Sequence, residues 1–340
     1  MKRGPAHWRA GRPQMSSIDF GAMTLLAGLQ ESSAVQIIRY ADVDHFKVIE
    51  RLVTARSMPT DLSDFAASLA ILTLPSCTIF LQRTFPRIVE ADFHTAGALV
   101  GLPMEDAATL TLNGVAGPSD TLMLARGRGP SDLVETRANL FALIMFNSPM
   151  RDRGWPEVEN ESRIVRPNSG SLRRLQAVVR EIFLFGGVSA GEFAMPSVAC
   201  GLDESLVAGV DRALADCEAT IPPKQAAGRD KYLRMVRQLD DALSRDLGAT
   251  FYSHELARKL GISVRTLHNA VVTIRGRPLH DYIRLRRLWC VHQSLASGAP
   301  SQIKAVALAN GFWHPGEFSQ SYRSLFGETP SQTLVRARHG

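Results

Sequence analysis

Residues 303–326, IKAVALANGFWHPGEFSQSYRSLF, decide the fold of the C-terminal third of this 340-residue chain. A short apolar segment with helical periodicity reaches Gly311, which can adopt the left-handed conformation of a tight turn. A second helix then starts with Pro315 in its first turn and Glu317 beside it, and both are favourable at a helix N-terminus. Small Ala307 stands where the two helices cross. Two short helices joined by a glycine turn predict a helix-turn-helix unit.

The same arrangement occurs earlier in the chain, in SHELARKLGISVRTLHNAVV (253–272). Ser253 is placed to cap a first short helix, Gly261 permits the turn, and Ser263 is placed to cap a second helix. The pattern therefore predicts two helix-turn-helix units, near 253–273 and 303–326.

A single helix is predicted between the two units, over PLHDYIRLRRLWCVHQSLA (278–296). Its apolar residues recur at helical spacing and include Leu279, Tyr282, Ile283 and Leu295. At a rise of 1.5 Å per residue, about 18 residues span roughly 27 Å. That length suits placing two recognition helices about 34 Å, one turn of DNA, apart, so one chain would meet two successive major grooves.

Charge is unevenly distributed along the chain. The whole sequence carries 39 basic and 33 acidic residues, for a formal charge of +6. From Lys224 to the end there are 18 basic and 8 acidic residues, net +10, which leaves −4 on the rest. A basic C-terminal third joined to a slightly acidic body indicates a polyanion-binding module, although charge alone leaves open a merely solvated basic surface. The basic side chains placed near the predicted helices, and so near phosphates, are Arg275, Arg277, Arg284, Arg286, Arg287, Lys304 and Arg323.

The last hundred or so residues resemble the DNA-binding domain of the AraC/XylS transcription regulators. The second unit matches the family at Ile303, Val306, Ala307, Gly311, Phe312, Phe318, Tyr322, Arg323, Phe326, Gly327 and Pro330, and the connecting helix matches it at Tyr282, Arg287 and Leu288. The chain departs from the family in a few places. Thr333 and Leu334 stand where an aromatic-Arg pair is usual, Val291 stands in place of a small Ala, and Trp289 is unusually bulky.

The resemblance implies which side chains would face base edges. They are Arg265, His268 and Asn269 in the first unit, and His314, Pro315, Gly316, Glu317, Ser319 and Gln320 in the second. Arg suits guanine O6 and N7, and Asn suits adenine N6 and N7. Because Pro315 and Gly316 offer little hydrogen-bond readout, the first unit is expected to carry more of the sequence reading. For each position the alternative is a solvated helix face.

Residues 35–146 contain short runs rich in β-branched and aromatic residues, separated by Gly and Pro, such as CTIFLQRTF (77–85) and NLFALIMF (139–146). They predict an antiparallel barrel or sandwich. One early segment, DVDHFKVIERL (42–52), reads instead as a helix capped by Asp42 or Asp44. Two amphipathic helices follow later, and we expect them to pack beneath the β-domain, with a dimer interface as the alternative.

The predicted fold class is therefore α+β: a cupin-like antiparallel β-barrel with helices, followed by an all-α domain. The predicted segments are a basic N-terminal tail and lead-in (1–34), a β-rich regulatory domain (35–150), a linker with amphipathic helices (151–221), and the DNA-binding domain (224–340), with the boundary at Pro222-Pro223. The apolar patch after the basic tail is short and lacks a cleavage site, so we do not expect a signal peptide.

Catalytic and metal-binding signals are weak. His94 lies near Glu90 and Asp92 at alternating spacing, which could form a metal site but fits a solvated strand equally well, so neither a metal nor a cofactor is expected. No G-x-S-x-G motif and no P-loop occur, so we do not expect an enzyme. Four sparse Cys residues indicate a reducing compartment, and no apolar run is long enough to span a membrane.

These expectations combine into a cytoplasmic, sequence-specific regulator that binds double-stranded promoter DNA. The resemblance implies that the N-terminal barrel binds a small-molecule effector, that the protein is a homodimer, that activation is the usual mode and that RNA polymerase is a further partner. Two alternatives stay open. The N-terminal domain could bind a protein instead of a metabolite, or the chain could be a metal-binding cupin enzyme with a DNA-binding tail.

Overall fold

The computed structural model describes residues 25–46, 53–106, 109–215, 217–219, 223–245, 253–300 and 302–339. Within them, an antiparallel sheet is followed by a set of helices, so the predicted α+β class is confirmed. The residues 1–24 of the basic tail, the end of the helix predicted over 42–52 and Pro222 of the predicted boundary lie outside the described residues.

The N-terminal part is built from twelve short to medium strands and the helices packed on them. After a helical segment whose described residues are 25–28 (α1), the strands are β1 Val35–Tyr40, β2 Val53–Pro59, β3 Ala67–Thr73, β4 Cys77–Arg83, β5 Arg87–Pro103, β6 Leu110–Leu112, β7 Val115–Gly117, β8 Leu122–Pro130, β9 Leu133–Glu135, β10 Leu140–Phe146, β11 Glu161–Arg166 and β12 Glu218–Ala219. The main sheet has the order β1-β3-β4-β10-β5-β8-β11-β12, with β2 and β9 also paired to β5. Its described strands leave edges at β1 and β12, so the sheet is curved but is not a closed barrel.

Strand β5 is 17 residues long and belongs to two walls of this sheet. Its N-terminal half pairs with β2, β9 and the end of β8, and its C-terminal half pairs with β10 and the start of β8. The register with β8 shifts between Thr95 and Ala98, where the strand changes direction. Gly97 occupies this point, and a Cβ there would lie 1.7 Å from the carbonyl oxygen of Phe146. We call β1, β3, β4, β10, β8 and the second half of β5 the first wall, and β2, β9 and the first half of β5 the second wall.

Each strand of the first wall has one face against helices and one face toward the interior. The helices are α2 Ser169–Val188, α3 Ala190–Phe193 and α4 Pro196–Ala215. Leu175 and Val179 of α2 and Val210 of α4 pack with Ile79 and Val100 of the sheet in one buried cluster. The two amphipathic helices thus pack on the β-domain. The opposite face of the wall carries a smaller apolar cluster formed by Leu69, Phe80, Phe93, Leu99, Ala125 and Met145.

Two local predictions were wrong. Strand β11 lies inside the segment 151–221, which was predicted to be a linker with amphipathic helices, and it pairs with β8 through Ile164 and Val165. Its six residues alternate too briefly to stand out from the polar residues around them. Residues 42–45, at the start of the predicted helix, form bends, although Asp42 does accept a hydrogen bond from the backbone N of His45 at 3.0 Å.

The C-terminal helices are α5 Pro223–Arg245, α6 Ser253–Lys259, α7 Val264–Arg275, α8 Leu279–Ala296, α9 Ile303–Ala309, α10 Pro315–Phe326 and α11 Pro330–His339. Ser263 caps α7 by accepting from the backbone N of Thr266 at 3.0 Å. Gly261 and Gly311 make the two turns with φ of 65° and 77°. Helix α8 has 18 residues, which confirms the predicted length of the connecting helix.

The helical part packs against the outer face of the second wall. Met58 of β2, Ile88 of β5 and Val134 of β9 belong to the same buried cluster as the core of the C-terminal helices. The second wall therefore lies between the interior of the sheet and the helices that carry the two helix-turn-helix units.

Candidate nucleic-acid interface

Helix α7 is amphipathic, and its polar face carries the residues expected to read bases. Leu267, Ala270, Val271 and Ile274 are buried in the helical core. Helical periodicity then turns the side chains between them outward, and the exposed ones are Arg265, His268 and Asn269. All three lie in the first half of α7.

Helix α10 presents a comparable face at its N-terminus. Phe318 and Tyr322 are buried, and they fix the helix against its neighbours. The exposed residues of its first turns are His314, Pro315, Gly316, Glu317, Ser319 and Gln320. A Cβ at Gly316 would meet no atom within 4 Å, so this end of the helix is open to a large partner.

Hydrogen bonds between buried polar groups fix α10 relative to α8 and α11. His292 Nδ1 of α8 lies 2.8 Å from the hydroxyl of Tyr322, which lies 2.8 Å from Thr333 Oγ1 of α11. Thr333 also donates to Glu328 at 2.6 Å. The Thr at position 333, which departs from the family pattern, is therefore part of this buried chain of hydrogen bonds.

The seven basic residues predicted to meet phosphates have different surroundings. Arg284, Lys304 and Arg323 are exposed, and Arg277 and Arg287 are half-buried. Arg287 packs beneath the turn of the second unit, because a Cβ on Gly311 would come within 3.1 Å of its Cζ atom. Arg284 contacts the hydroxyl of Ser321 in α10.

Two of the seven predictions are contradicted by the structure. The side chains of Arg275 and Arg286 are only 0% and 9% exposed. Arg275 Nη2 donates to Asp240 at 2.7 Å, and Arg286 Nη1 donates to Glu90 at 2.7 Å. Because buried carboxylates hold both guanidinium groups, neither can reach a phosphate in this arrangement. These carboxylates come from distant parts of the chain, so the sequence around each arginine does not predict the ion pairs.

These arginines belong to an interdomain ion cluster that joins the second wall to the helices. Its members are Glu90, Asp92 and Asp132 from the sheet, and Arg237, Asp240, Arg275, Tyr282 and Arg286 from the helices. Arg237 donates to Asp92 at 2.7 Å and to Asp132 at 2.6 Å. Asp132 also lies 2.9 Å from Arg275 Nη1. Burial, and then the nearby charge of Asp240, raise the pKa of Glu90.

The same contacts account for the three residues that had suggested a metal. Glu90 and Asp92 face arginines of the helical part, and His94 Nδ1 accepts from Arg128 Nε at 2.6 Å. They do not converge on one point. No group of three His, Cys, Asp or Glu residues that could hold a metal occurs within the described ranges.

A second interdomain contact centres on Asp44. Its carboxylate lies 2.9 Å from His292 Nε2, and Arg336 donates to it from both terminal nitrogens at 3.1 Å. Burial by itself raises the pKa of Asp44, but the hydrogen bonds and charges of His292 and Arg336 outweigh it and leave the pKa lowered.

A cavity of about 100 Å³ lies inside the sheet between the two walls. Apolar residues of both walls line most of it, with Gln82, Arg87, Ser131 and Glu135 as its polar members. The strands of the second wall alternate between the cavity and the helices. Val89 and Leu133 line the cavity, whereas their neighbours Glu90 and Asp132 pair with arginines of the helical part.

Two remaining findings concern membrane spans and the cysteines. No helix in the described part is both long and apolar enough to cross a membrane. All four cysteines, Cys77, Cys200, Cys217 and Cys290, are free.

Comparison with known proteins gives matches in the helical part. A family model described as a helix-turn-helix domain matches residues 256–336. The XylDLEGF operon transcriptional activator 2 of Pseudomonas putida is 34% identical over 109 residues, which cover 32% of this chain and 67% of that protein. Activator 1 of the same operon is 32% identical over 113 residues, or 33% of each chain. The match thus spans about a third of the length of that relative.

A solved structure also matches this part. It is a probable AraC family transcriptional regulator from Rhodopseudomonas palustris, 33% identical, with 31% of this chain and 97% of that chain covered and a TM-score of 0.29.

Proposed function

This chain belongs to the AraC/XylS family of transcriptional regulators, and on that basis we propose that it binds specific sites in double-stranded DNA and regulates transcription. The observation that carries the proposal is the pair of exposed helix faces, at the N-terminal ends of α7 and α10, joined by the 18-residue helix α8. One chain would insert α7 and α10 into successive major grooves on one face of the duplex.

The two recognition helices divide the reading of bases unequally. Arg265 and Asn269 on α7 have the hydrogen-bonding groups that discriminate guanine and adenine, and His268 adds a further donor or acceptor. On α10, Glu317 can accept from cytosine N4, and Ser319 and Gln320 can bond either groove edge or backbone. Pro315 and Gly316 have no such groups. Helix α7 therefore carries most of the base preference. His314 and the first turn of α10 position the protein in the second major groove.

The exposed cations supply binding that does not depend on sequence. Arg284, Lys304 and Arg323 face solvent near the recognition helices, and each neutralised phosphate adds to the salt dependence of binding. Arg277 contributes from a half-buried position. Arg275 and Arg286 hold the helical part on the sheet instead.

The N-terminal cavity is the proposed effector site, and the second wall is the route by which it acts. A ligand that contacts Val89 or Leu133 displaces strands whose next residues, Glu90 and Asp132, hold Arg286 and Arg275. Such a ligand changes DNA binding only as far as it binds one arrangement of the two parts more tightly than the other. The relatives are named as activators, so we propose that this chain activates transcription. We further propose that it acts in the cytoplasm, that RNA polymerase is a partner and that the protein has no catalytic activity.

We propose that the protein binds DNA as a homodimer. Leu184 and Val188 of α2 and Met195, which follows α3, are large apolar side chains that remain exposed on the side of the sheet away from the DNA-binding helices. An exposed apolar patch of this kind is a candidate contact between two copies of the chain.

The test starts by selecting bound duplexes from a random library and footprinting the selected site with the full chain. We expect protection of two major grooves about one turn apart on one face. Asn269→Ala and Arg265→Ala should each weaken binding to that site by about 1–3 kcal/mol and relax the base preference at one position. Lys304→Ala should weaken binding to all sequences alike and reduce its salt dependence.

Arg173→Ala is the matched control, because Arg173 is an exposed arginine of α2 on the N-terminal part. It should leave binding unchanged. If Asn269→Ala and Arg265→Ala weaken binding equally on every sequence, the base-reading role of α7 is wrong. A single protected groove would contradict the two-groove arrangement.

A further inference from the structure

The polar end of the interior cavity contains a cation whose hydrogen bonds are incomplete. Arg87 is 3% exposed and lines the cavity, and its Nε donates to Glu135 Oε2 at 2.5 Å. Nη1 of Arg87 is buried and has no hydrogen-bond partner among the described residues. Buried donors without partners are rare in folded proteins, because each one loses its bonds to water without replacement.

The guanidinium group is held in place on its other sides. The rings of Phe46 and Phe85 lie 5.0 Å and 5.6 Å from its Cζ atom. Glu135 is held as well, because its Oε1 already accepts hydrogen bonds from Thr84 at 2.7 Å and from Asn139 at 3.0 Å. The arginine is therefore fixed by its neighbours, while its buried Nη1 donor has no acceptor within the described ranges.

Charge balance restricts what could occupy this position. Arg87 and Glu135 form a buried pair whose charges cancel. A carboxylate ligand would add a second negative charge close to Glu135 in surroundings that are otherwise lined by Val89, Phe93, Leu99 and Met123. Burying an unbalanced charge is strongly unfavourable. A neutral carbonyl oxygen would accept from Nη1 without disturbing the pair.

The size of the cavity sets a second restriction. Its volume of about 100 Å³ is smaller than the roughly 150 Å³ of an engineered apolar cavity that admits benzene in another protein. Apolar walls of this size suit a small, branched or cyclic hydrocarbon skeleton.

We propose that the cavity binds a small, uncharged, mostly apolar molecule whose carbonyl oxygen accepts a hydrogen bond from Arg87 Nη1. This assignment rests on the effector role of the cavity proposed above and specifies the class of ligand. Gln82, which also lines the cavity, can donate a further hydrogen bond to a polar group of the ligand or accept one from a hydroxyl. Organic acids of the same shape are excluded by the charge of Glu135.

The test uses three probes of nearly equal shape with the full chain: 3-methylbutan-2-one, isobutyrate and 2,3-dimethylbutane. They present a neutral carbonyl, a carboxylate and no acceptor on the same branched skeleton. Dissociation constants from ligand-detected NMR should place the ketone roughly tenfold tighter than either of the others. Arg87→Lys keeps the charge but removes Nη1, and it should bring the ketone and the hydrocarbon to within about twofold of each other.

The ranking of the probes on the wild-type chain tests the proposal even if Arg87→Lys does not fold. The proposal is overturned if isobutyrate binds as tightly as the ketone, if the hydrocarbon does, if none of the probes binds, or if the preference for the ketone survives in a folded Arg87→Lys variant. DNA binding by the same preparation is measured separately on the selected duplex. Loss of probe binding with intact DNA binding would refute the ligand class alone, whereas failure to bind DNA would refute the proposed function.

Discussion

Arg275 holds the end of a recognition helix against the sheet. It is the last residue of α7, its side chain is fully buried, and it contacts Asp240 of α5 and Asp132 of the sheet. A buried ion pair need not add net stability compared with apolar residues of equal size. Removing one charged partner is different, because the acids then remain buried and uncompensated. Arg275 thus determines the stability of the interface through the charges that it neutralises.

Arg275→Met should lower the free energy of unfolding by about 3–5 kcal/mol, because Asp132 and Asp240 lose their shared partner. Urea unfolding followed by tryptophan fluorescence measures the change. Arg323→Met is the matched control, since Arg323 is exposed on α10 and its loss should change stability by less than about 0.5 kcal/mol. Equal effects of the two substitutions would contradict the role given to the buried cluster.

Asp44 makes the second interdomain contact dependent on pH. Its folded-state pKa lies below the ordinary aspartate value of 3.8, so the ionised carboxylate stabilises the fold above that pH. This contribution is lost as the pH falls through the lower folded-state pKa. We expect the difference in unfolding free energy between the wild type and Asp44→Asn to be largest well above pH 3.8 and to narrow below about pH 4.

Urea unfolding at a series of pH values measures this difference for Asp44→Asn. Asp64→Asn alters an exposed carboxylate outside the interface and serves as the control. A difference for Asp44→Asn that stays constant down to acid unfolding would show that His292 and Arg336 do not stabilise its ionised form.

At the scale of elements, the helices could be predicted closely and the sheet only in part. The first unit is predicted near 253–273, and its second helix α7 runs from Val264 to Arg275, because Ser263 and the glycines signal its ends locally. The runs 77–85 and 139–146 contain β4 and β10, but the local pattern does not predict the 17-residue β5 as one strand. The pairing of β5 in both walls depends on contacts between residues distant in sequence, such as Gly97 and Phe146. A local sequence pattern does not predict such contacts.

Gly97→Ala tests the bend of β5. The new Cβ would lie 1.7 Å from the carbonyl oxygen of Phe146, so backbone atoms of β5 or β10 would have to move. We expect a loss of more than about 3 kcal/mol in unfolding free energy, or failure to fold. Gly201→Ala is the control, because Gly201 lies within α4 with open space around it, and alanine there should stabilise by about 0.5–1 kcal/mol. A soluble Gly97→Ala protein with wild-type stability would contradict the close packing at this bend.

At the scale of the whole molecule, the second wall separates two environments with different chemistry. Its inner face lines a mostly apolar cavity, and its outer face carries the acids that bind the arginines of the helical part. The family resemblance assigns the candidate base-reading residues from the sequence alone, and the structure leaves them exposed. The cavity and the ion cluster could not be predicted, because Arg87, Glu135, Glu90 and Arg286 meet only after β5, β9 and α8 have come together.

Asp132→Asn tests whether the second wall contacts the first helix-turn-helix unit more directly than it contacts the second unit. Asp132 contacts Arg237 and Arg275, and Val134 nearby packs in the helical core next to α7, whereas α10 packs on α8, α9 and α11. We therefore expect hydrogen–deuterium exchange to accelerate in β9 and the last turns of α7 while α10 is unchanged. Ser319→Ala, on the exposed face of α10, should leave both regions as in the wild type. A cavity ligand that acts through the second wall should likewise alter exchange in β9 and the last turns of α7. If exchange rises equally in α7 and α10, the helical part responds as one body and the wall does not act on α7 selectively.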